Sequence, residues 1–308
     1  MKFNFKRTIF VRLGLLFVFT FGLFGPVMAA DKQDHGYTIS KIKSTYGKLE
    51  MVHSDAMNVD LPVLVFTPFD YEETDTVFPV VYLLHGTNDQ PMTEEGLRKL
   101  YGPGLKILEQ ADYYRVIIVT PIVGNSWYLD APLKPENRYA TYVGKELPAW
   151  MDKHYRTQAD RDGRILAGFS MGGYGAVSLL CRYPDTFSVA MSRGGALSLA
   201  AGVEELDWDD VGFGLQALVG DYWQDRKNYH QNNCMNLINH IRERDDVSLV
   251  IEVGMEDFLY KINRKFHDRL VEYGMKHIYA EYPGGHYWGA DCLGSLLAQL
   301  QYFKDTVH

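Results

Sequence analysis

Short runs of apolar residues recur along the chain after residue 60, and most are separated by helix-like stretches. The first run alternates apolar and polar positions and predicts a partly exposed strand. The later runs are nearly continuous in apolar residues, which is typical of strands covered on both faces. Together they predict strands at residues 61–68, 78–86, 115–122, 164–169, 187–195, 247–254 and 277–285.

Apolar residues at helical spacing follow most of these runs. They predict helices at residues 94–111 with a break at 102–104, and at 139–155, 171–184, 259–274 and 293–307. Pro148 should kink the second of these helices, and Gly274 should end the fourth. Buried strands that alternate with helices predict an α/β fold, with a mostly parallel central sheet and helices on both faces.

Residues 196–244 interrupt this alternation with a segment that is polar but rich in Trp and Tyr. We expect a helical insertion over the carboxyl edge of the sheet, the edge at which α/β proteins bind ligands. A solvated helical excursion without a function is the alternative that the sequence leaves open.

The first thirty residues form a separate segment. They contain four basic residues and no acidic one, then an apolar run and a small-residue end. This order is typical of a secretory signal peptide, here cleaved after Ala29 or Ala30, and predicts a secreted or periplasmic protein. A retained membrane anchor is the alternative, but the apolar run is short for a span of about 20 residues. We expect residues 31–308 to form a single domain without stable membrane insertion.

Charge and cysteine content narrow the possible partners. The net charge is −8, and removal of the basic leader would make it −12. An acidic surface argues against nucleic acid or an anionic membrane as the main partner. Cys181, Cys234 and Cys292 lack the spacing of a metal site, and we expect no metal or cofactor. In an exported protein Cys234 could pair with Cys292, and the oligomeric state is open.

The segment "GFSMG" at residues 168–172 matches the pattern G-x-S-x-G between a predicted strand and a predicted helix. In that setting a tight turn directs the serine out of the sheet. Gly168 and Gly172 have no side chains, which would allow neighbouring backbone to pass close to the turn. Ser170 is therefore the candidate nucleophile, and the N–H of Met171 would point to where an oxyanion forms.

A serine nucleophile needs a base, and the base needs an acid that orients it. His286 lies in a glycine-lined loop directly after the last predicted strand, "PGGHYWG". Asp257 follows the preceding strand, with Glu256 as the second choice. The order Ser170, Asp257, His286 is that of the α/β-hydrolase fold.

Two loops at the same edge complete the candidate site. Thr87, after His85 and Gly86, would supply the second oxyanion N–H, and Gly86 would let the backbone approach the substrate. We expect His85 and Gly86 to line the substrate site, although His85 is better suited to a structural role than to catalysis. The wide loop "GNSWYLDAP" offers the aromatic rings of Trp127 and Tyr128 to a substrate, and ordinary packing is the alternative for both.

The segments "FPVVYLLHG", "NSWYLDAP", "KELPAWMDKHYRT", "GFSMGGYGA", "GMEDF" and "PGGHYW" together resemble the esterase D family. The resemblance spans roughly residues 61–303. It implies a carboxylesterase with Ser170, Asp257 and His286 as its catalytic triad. The segment after Gly86 and residues 196–244 depart from the family pattern, and both flank the expected substrate pockets.

The expected function is hydrolysis of short-chain or aryl esters by an exported serine esterase. Export suits acetyl or feruloyl esters, either as small molecules or on plant polysaccharide. Three alternatives remain. One is a thioesterase like S-formylglutathione hydrolase, which the leader disfavours because glutathione thioesters are intracellular. The others are an acyltransferase of the mycolyltransferase type and a non-catalytic binding protein on the same fold.

Overall fold

The computed structural model describes residues 47–87, 105–206 and 213–306, with side chains to residue 300, and these residues contain one eight-stranded sheet. The strands are β1 (Lys48–Ser54), β2 (Val59–Phe66), β3 (Val80–Leu84), β4 (Ile117–Pro121), β5 (Arg164–Phe169), β6 (Val189–Arg193), β7 (Ser248–Gly254) and β8 (His277–Tyr282). Their spatial order is β1-β2-β4-β3-β5-β6-β7-β8. The pairs β1–β2 and β2–β4 are antiparallel, and all the others are parallel.

The mostly parallel sheet confirms the predicted fold class, and all seven predicted strands are present. Two details differ. The strand β1 was not predicted, and it forms one edge of the sheet. The expectation that β2 is partly exposed was wrong, because its last six residues are buried. It lies between β1 and β4 rather than at the edge.

Helices cover both faces of the sheet. The α-helices of four or more residues are α1 (Ile107–Tyr114), α2 (Leu147–His154), α3 (Met171–Arg182), α4 (Leu199–Leu206), α5 (Gln216–Val219), α6 (Arg226–Asn232), α7 (Cys234–Leu237), α8 (Tyr260–Glu272) and α9 (Ala290–Thr306). One apolar core contains side chains of α2, α3, α4 and α8, and a second core contains side chains of α1 and α9. The predicted arrangement of helices on both faces is therefore confirmed.

Three helix boundaries show how local chemistry shapes the chain. The helix predicted at 94–111 is described only from α1 onwards, since residues 88–104 lie outside the described part. A π-helical turn, Tyr142–Glu146, precedes α2. Pro148, near the start of α2, has no N–H and its ring displaces the carbonyl four residues earlier, so the expected kink takes the form of this wide turn. Gly274, with φ of +65°, ends α8 as predicted.

The insertion is helical, and in the described part it consists of α4 to α7. It packs on α3 and on the loop after β4. Tyr174 Oη in α3 donates to the carbonyl of Asn232 at 2.7 Å, and Trp127 Nε1 donates to the carbonyl of Phe213 at 2.9 Å. Residues 207–212 of this segment lie outside the described part.

All three cysteines are buried and free. The possible pairing of Cys234 with Cys292 was therefore wrong. Cys234 belongs to the core on the α3 face, whereas Cys292 lies in α9 on the opposite face. Separately, within the described ranges, none of the helices is long and apolar enough to cross a membrane.

The first turn of α3 lies very close to the ends of β3 and β5. A Cβ added at Gly172 would stand 1.9 Å from the carbonyl oxygen of Leu84, and one at Gly168 would stand 2.3 Å from the carbonyl oxygen of Gly172. No side chain fits between these backbones. The two glycines of the G-x-S-x-G pattern thus set the distance between helix and sheet.

Gly172→Ala is expected to lower the free energy of unfolding by at least about 2 kcal/mol, because the methyl group displaces backbone rather than a flexible side chain. The measurement is urea denaturation followed by circular dichroism. The matched control is Gly294→Ala in α9, where the new Cβ would lie 3.3 Å from Gln110 Nε2, the end of a flexible side chain. That variant should keep or raise stability by up to about 1 kcal/mol, since Ala is the better helix former. Equal stability of the two variants would contradict the argument.

Candidate active site

Ser170 lies in the turn between β5 and α3 with φ 57° and ψ −118°. A positive φ is strained for a residue with a side chain, and such strain is concentrated at functional sites. Hydrogen bonds hold the turn. The N–H of Ser170 donates to the carbonyl of Arg193 at 3.1 Å, and its own carbonyl accepts from Tyr174 N and Ala196 N at 3.0 and 3.3 Å. Met171 begins α3, where the positive end of the helix dipole lies.

Asp257 and His286 form a hydrogen-bonded pair beyond the ends of β7 and β8. Asp257 Oδ2 and His286 Nδ1 are 2.8 Å apart, and Asp257 Oδ1 accepts from the N–H of Leu259 at 2.8 Å. The Asp257 side chain is fully buried, whereas that of His286 is 20% exposed. Glu256 is exposed, so the structure pairs His286 with the first-choice acid rather than with the second.

Ser170 and the Asp257–His286 pair lie at the same edge of the sheet. The ring of Phe169, the residue before Ser170, has its centroid 4.4 Å from that of His286. Gly194 lies against the pair, because a Cβ added there would stand 2.7 Å from Asp257 Oδ2 and 3.3 Å from His286 Nδ1. The ring of Phe258 covers His286 as well, at 4.6 Å between centroids.

The loop after β3 crosses next to Ser170. A Cβ added at Gly86 would stand 3.3 Å from Ser170 Cβ. Thr87, the candidate oxyanion donor, is half-buried and follows directly. The structure therefore brings the loop with Gly86 and Thr87 to the turn that carries Ser170 and Met171.

His85 has a structural position, and the expectation that it lines the substrate site needs correction. Its ring is buried, with Nε2 accepting from the N–H of Val123 at 3.2 Å. The proton therefore sits on Nδ1, which donates to the carbonyl of Gly86 at 2.7 Å. Burial lowers the pKa of His85 to about 4, so the ring is neutral. Both ring nitrogens hold the loop, and neither is available to a substrate.

Trp127 and Tyr128 also differ from the expectation of substrate contact. Their side chains are buried at 2% and 0% exposure, and both residues have positive φ. The Trp127 ring packs edge-on against Tyr174 at 5.8 Å, and Tyr128 Oη donates to the carbonyl of His85 at 3.0 Å. Packing, the alternative interpretation, describes both rings. Tyr128 supports the loop before Gly86 from inside the fold.

Two charged residues at this edge were missed by sequence reasoning. Arg193 ends β6, Glu252 lies near the end of β7, and their side chains form a buried ion pair. The available signal was one charged residue in each of two otherwise apolar strands. For metals, in the part of the chain that the structure describes, no group of three or more His, Cys, Asp or Glu side chains could hold an ion.

The mostly parallel sheet, its covering helices and the strand–serine–helix turn define an α/β-hydrolase fold. A family model described as "Putative esterase" matches residues 54–301. The chain belongs to this esterase family.

Three comparisons show the similarity in detail. Esterase MT1326 of Mycobacterium tuberculosis (strain CDC 1551 / Oshkosh) is 28% identical over 263 residues, covering 78% of this chain and 56% of that protein. This chain thus spans little more than half of that relative. The acetyl esterase of Caldicellulosiruptor saccharolyticus is 27% identical over 222 residues, covering 68% of this chain and 77% of the relative. The substrate-bound structure of FphF, a fluorophosphonate-binding serine hydrolase of Staphylococcus aureus, superposes with a TM-score of 0.68 at 21% identity, covering 83% of this chain and 96% of that one.

The buried, neutral His85 predicts acid sensitivity. Its pKa falls from an ordinary 6.5 to about 4 on folding. Between these values the unfolded chain binds a proton that the folded chain does not, so stability is lost as the pH falls from about 6.5 towards 4. The contribution of His85 to this loss between pH 7 and pH 4.5 should be about 2 kcal/mol.

The measurement is urea denaturation at both pH values for the wild type and for His85→Gln. The variant should be less stable at pH 7 but should lose less on acidification, because glutamine does not titrate. An identical pH dependence in the two proteins would show that folding does not lower the pKa of His85.

Proposed function

We propose that this chain is an exported serine carboxylesterase that uses Ser170, His286 and Asp257 as a catalytic triad. The observation that carries the proposal is the Asp257–His286 hydrogen bond of 2.8 Å, beside a serine with strained backbone geometry. Nucleophile, base and orienting acid thus come from three loops at the carboxyl edge of the sheet. The same arrangement of roles recurs in hydrolases of unrelated folds.

Each step of the proposed reaction is assigned to one of these residues. His286 Nε2 takes the proton of Ser170 as the serine oxygen attacks the ester carbonyl, and Asp257 stabilises the resulting imidazolium. The N–H groups of Met171 and Thr87 stabilise the oxyanion of the tetrahedral intermediate. His286 returns the proton to the leaving alcohol, and an acyl-enzyme forms on Ser170. Water, deprotonated by His286, then attacks the acyl carbon. The bond from that carbon to the Ser170 oxygen breaks, the acid leaves, and His286 returns the proton to the serine oxygen.

The proposed substrates are short-chain or aryl esters, including acetyl or feruloyl esters on plant polysaccharide. The similarity to an acetyl esterase supports the acetyl class. Exposed aromatic side chains close to His286 support an aryl or sugar ring, since Phe258 is 48% and Tyr287 55% exposed. Flat rings of this kind stack on aryl groups and on the apolar faces of sugars.

The first test is the hydrolysis of p-nitrophenyl acetate by purified residues 31–308 and by Ser170→Ala. Wild-type turnover should fall by at least about 1,000-fold in the variant, because alanine supplies no nucleophile at this position. The matched control is Ser178→Ala, which removes a buried hydroxyl of the following helix that donates to the carbonyl of Gly175. Its turnover should equal that of the wild type. Equal rates in the wild type and Ser170→Ala would contradict the assignment of the nucleophile.

Substrate profiles separate the remaining alternatives. Acetyl and feruloyl esters should be hydrolysed faster than S-formylglutathione, and the reverse order would favour the thioesterase. An acyltransferase would transfer the acyl group to added alcohols or sugars in preference to water. A non-catalytic binding protein would show no turnover on any of these esters while still binding them in calorimetry.

Export is proposed from the first thirty residues alone. Expression of the full chain in a bacterium should yield a protein that begins at residue 30 or 31, found outside the cytoplasm. Amino-terminal sequencing and cell fractionation measure both properties. As a control, replacement of the small residues Ala29 and Ala30 by arginine should block processing, because the cleavage site needs small side chains. Full-length protein in the cytoplasm of cells making the unchanged chain would contradict export.

A further inference from the structure

Two oppositely charged side chains on neighbouring strands form an ion pair at the carboxyl ends of β6 and β7. Arg193 and Glu252 are paired in register, and Arg193 Nη1 donates to Glu252 Oε2 at 2.7 Å. Their side chains are 7% and 2% exposed. A buried ion pair is often no more stabilising than apolar residues of similar volume, because water must be removed from both charges. Stability alone therefore does not explain a charged pair at this position.

The surroundings of the pair also argue against a purely stabilising role. Arg193 Nε is buried and has no hydrogen-bond partner among the residues that the structure describes. A buried donor without a partner destabilises a fold. A cavity of about 450 Å³ borders both side chains, so close packing does not fix them on that side. Their positions depend on the polar contacts that they make.

The backbones of the same two residues hold the turns of the candidate active site. The carbonyl of Arg193 accepts from the N–H of Ser170 at 3.1 Å, and the carbonyl of Glu252 accepts from the N–H of Gly194 at 2.7 Å. Gly194 in turn lies against Asp257, with 2.7 Å between an added Cβ and Asp257 Oδ2. A shift of β6 against β7 would therefore move Ser170 relative to its acid.

The side chains of the pair also reach the two elements that flank His286. The Arg193 guanidinium lies 3.6 Å from the ring centroid of Tyr282, the last residue of β8. Ser295 Oγ, in α9, donates to Glu252 Oε1 at 2.7 Å. Since the loop with His286 connects β8 to α9, the ion pair is bonded to the structure on both sides of that loop.

We propose that Arg193 and Glu252 are positioning residues, whose ion pair fixes the turn at Ser170 relative to the loop that carries His286. The inference rests on the proposed esterase function. A misplacement of about 1 Å in a catalytic group can lower a rate by about 100-fold. Loss of the pair therefore lowers kcat, while KM changes little, because the proposed effect is on the relative positions of the catalytic groups.

The test is the double variant Arg193→Met with Glu252→Leu, which replaces both charges by apolar groups and leaves no unpaired charge. The matched control is Arg164→Met with Asp152→Leu, which removes a second ion pair, with side chains 13% and 20% exposed, at the amino end of β5. The measurements are the melting temperature, kcat and KM on p-nitrophenyl acetate. The expected result is a fall in kcat of at least about tenfold, with KM within about twofold, in the first double variant only.

Two results would overturn the proposal. One is a wild-type kcat in the folded Arg193→Met/Glu252→Leu protein, and the other is an equal loss of kcat in both double variants. If the first double variant does not fold, Arg193→Lys decides, because lysine keeps the charge but not the planar fork that bonds Glu252 and stacks on Tyr282. A lowered kcat with unchanged KM supports positioning, and a wild-type kcat contradicts it.

A measurement on the protein without substrate tests the positioning role independently of the esterase function. The proton between His286 Nδ1 and Asp257 should give a downfield proton NMR signal in the wild type and in the Arg164→Met/Asp152→Leu control. The signal should be lost or displaced in Arg193→Met/Glu252→Leu. An unchanged signal in Arg193→Met/Glu252→Leu would contradict the positioning role, even if the wild type hydrolyses no ester. If the signal is lost in that variant and the wild type is inactive, only the esterase function is contradicted.

Discussion

The contact between the first turn of α3 and the end of β3 is the constraint on which the candidate site depends. Because Gly172 lies against the carbonyl of Leu84, the chain can leave β5 and enter a helix within one residue, Ser170. The same contact brings the residues that follow β3, Gly86 among them, next to that serine. One close approach of backbones thus places both the nucleophile and the loop opposite it.

Three buried polar side chains at this edge of the sheet have defined partners. Asp257 bonds His286, His85 bonds the backbone on both sides of its ring, and Arg193 bonds Glu252. In a medium of low dielectric such bonds are strong and their loss is severe. The geometry of the site is therefore fixed by polar contacts, whereas the apolar cores hold the helices on the sheet.

Periodicity was enough to predict seven strands, the covering helices and the turn at Ser170, because these follow from local patterns. β1 was missed because exposed, half-buried and buried residues are mixed along it without a regular alternation, as suits an edge strand. Trp127 was misassigned because an aromatic residue in a loop gives the same signal whether it faces a ligand or the core. Its partners, Tyr174 and Phe213, are distant in sequence. The pairing of Arg193 with Glu252 depends on strand register, which one sequence does not reveal.

The separation of the cysteines has a consequence for biogenesis. Burial raises the pKa of Cys181 to about 12 and also raises those of Cys234 and Cys292. Thiols in this state are poor nucleophiles and react slowly with oxidants. Since all three cysteines of the chain are free, no disulfide within it has to form before the fold is complete. The folded chain therefore contains no disulfide bond that reducing conditions could break.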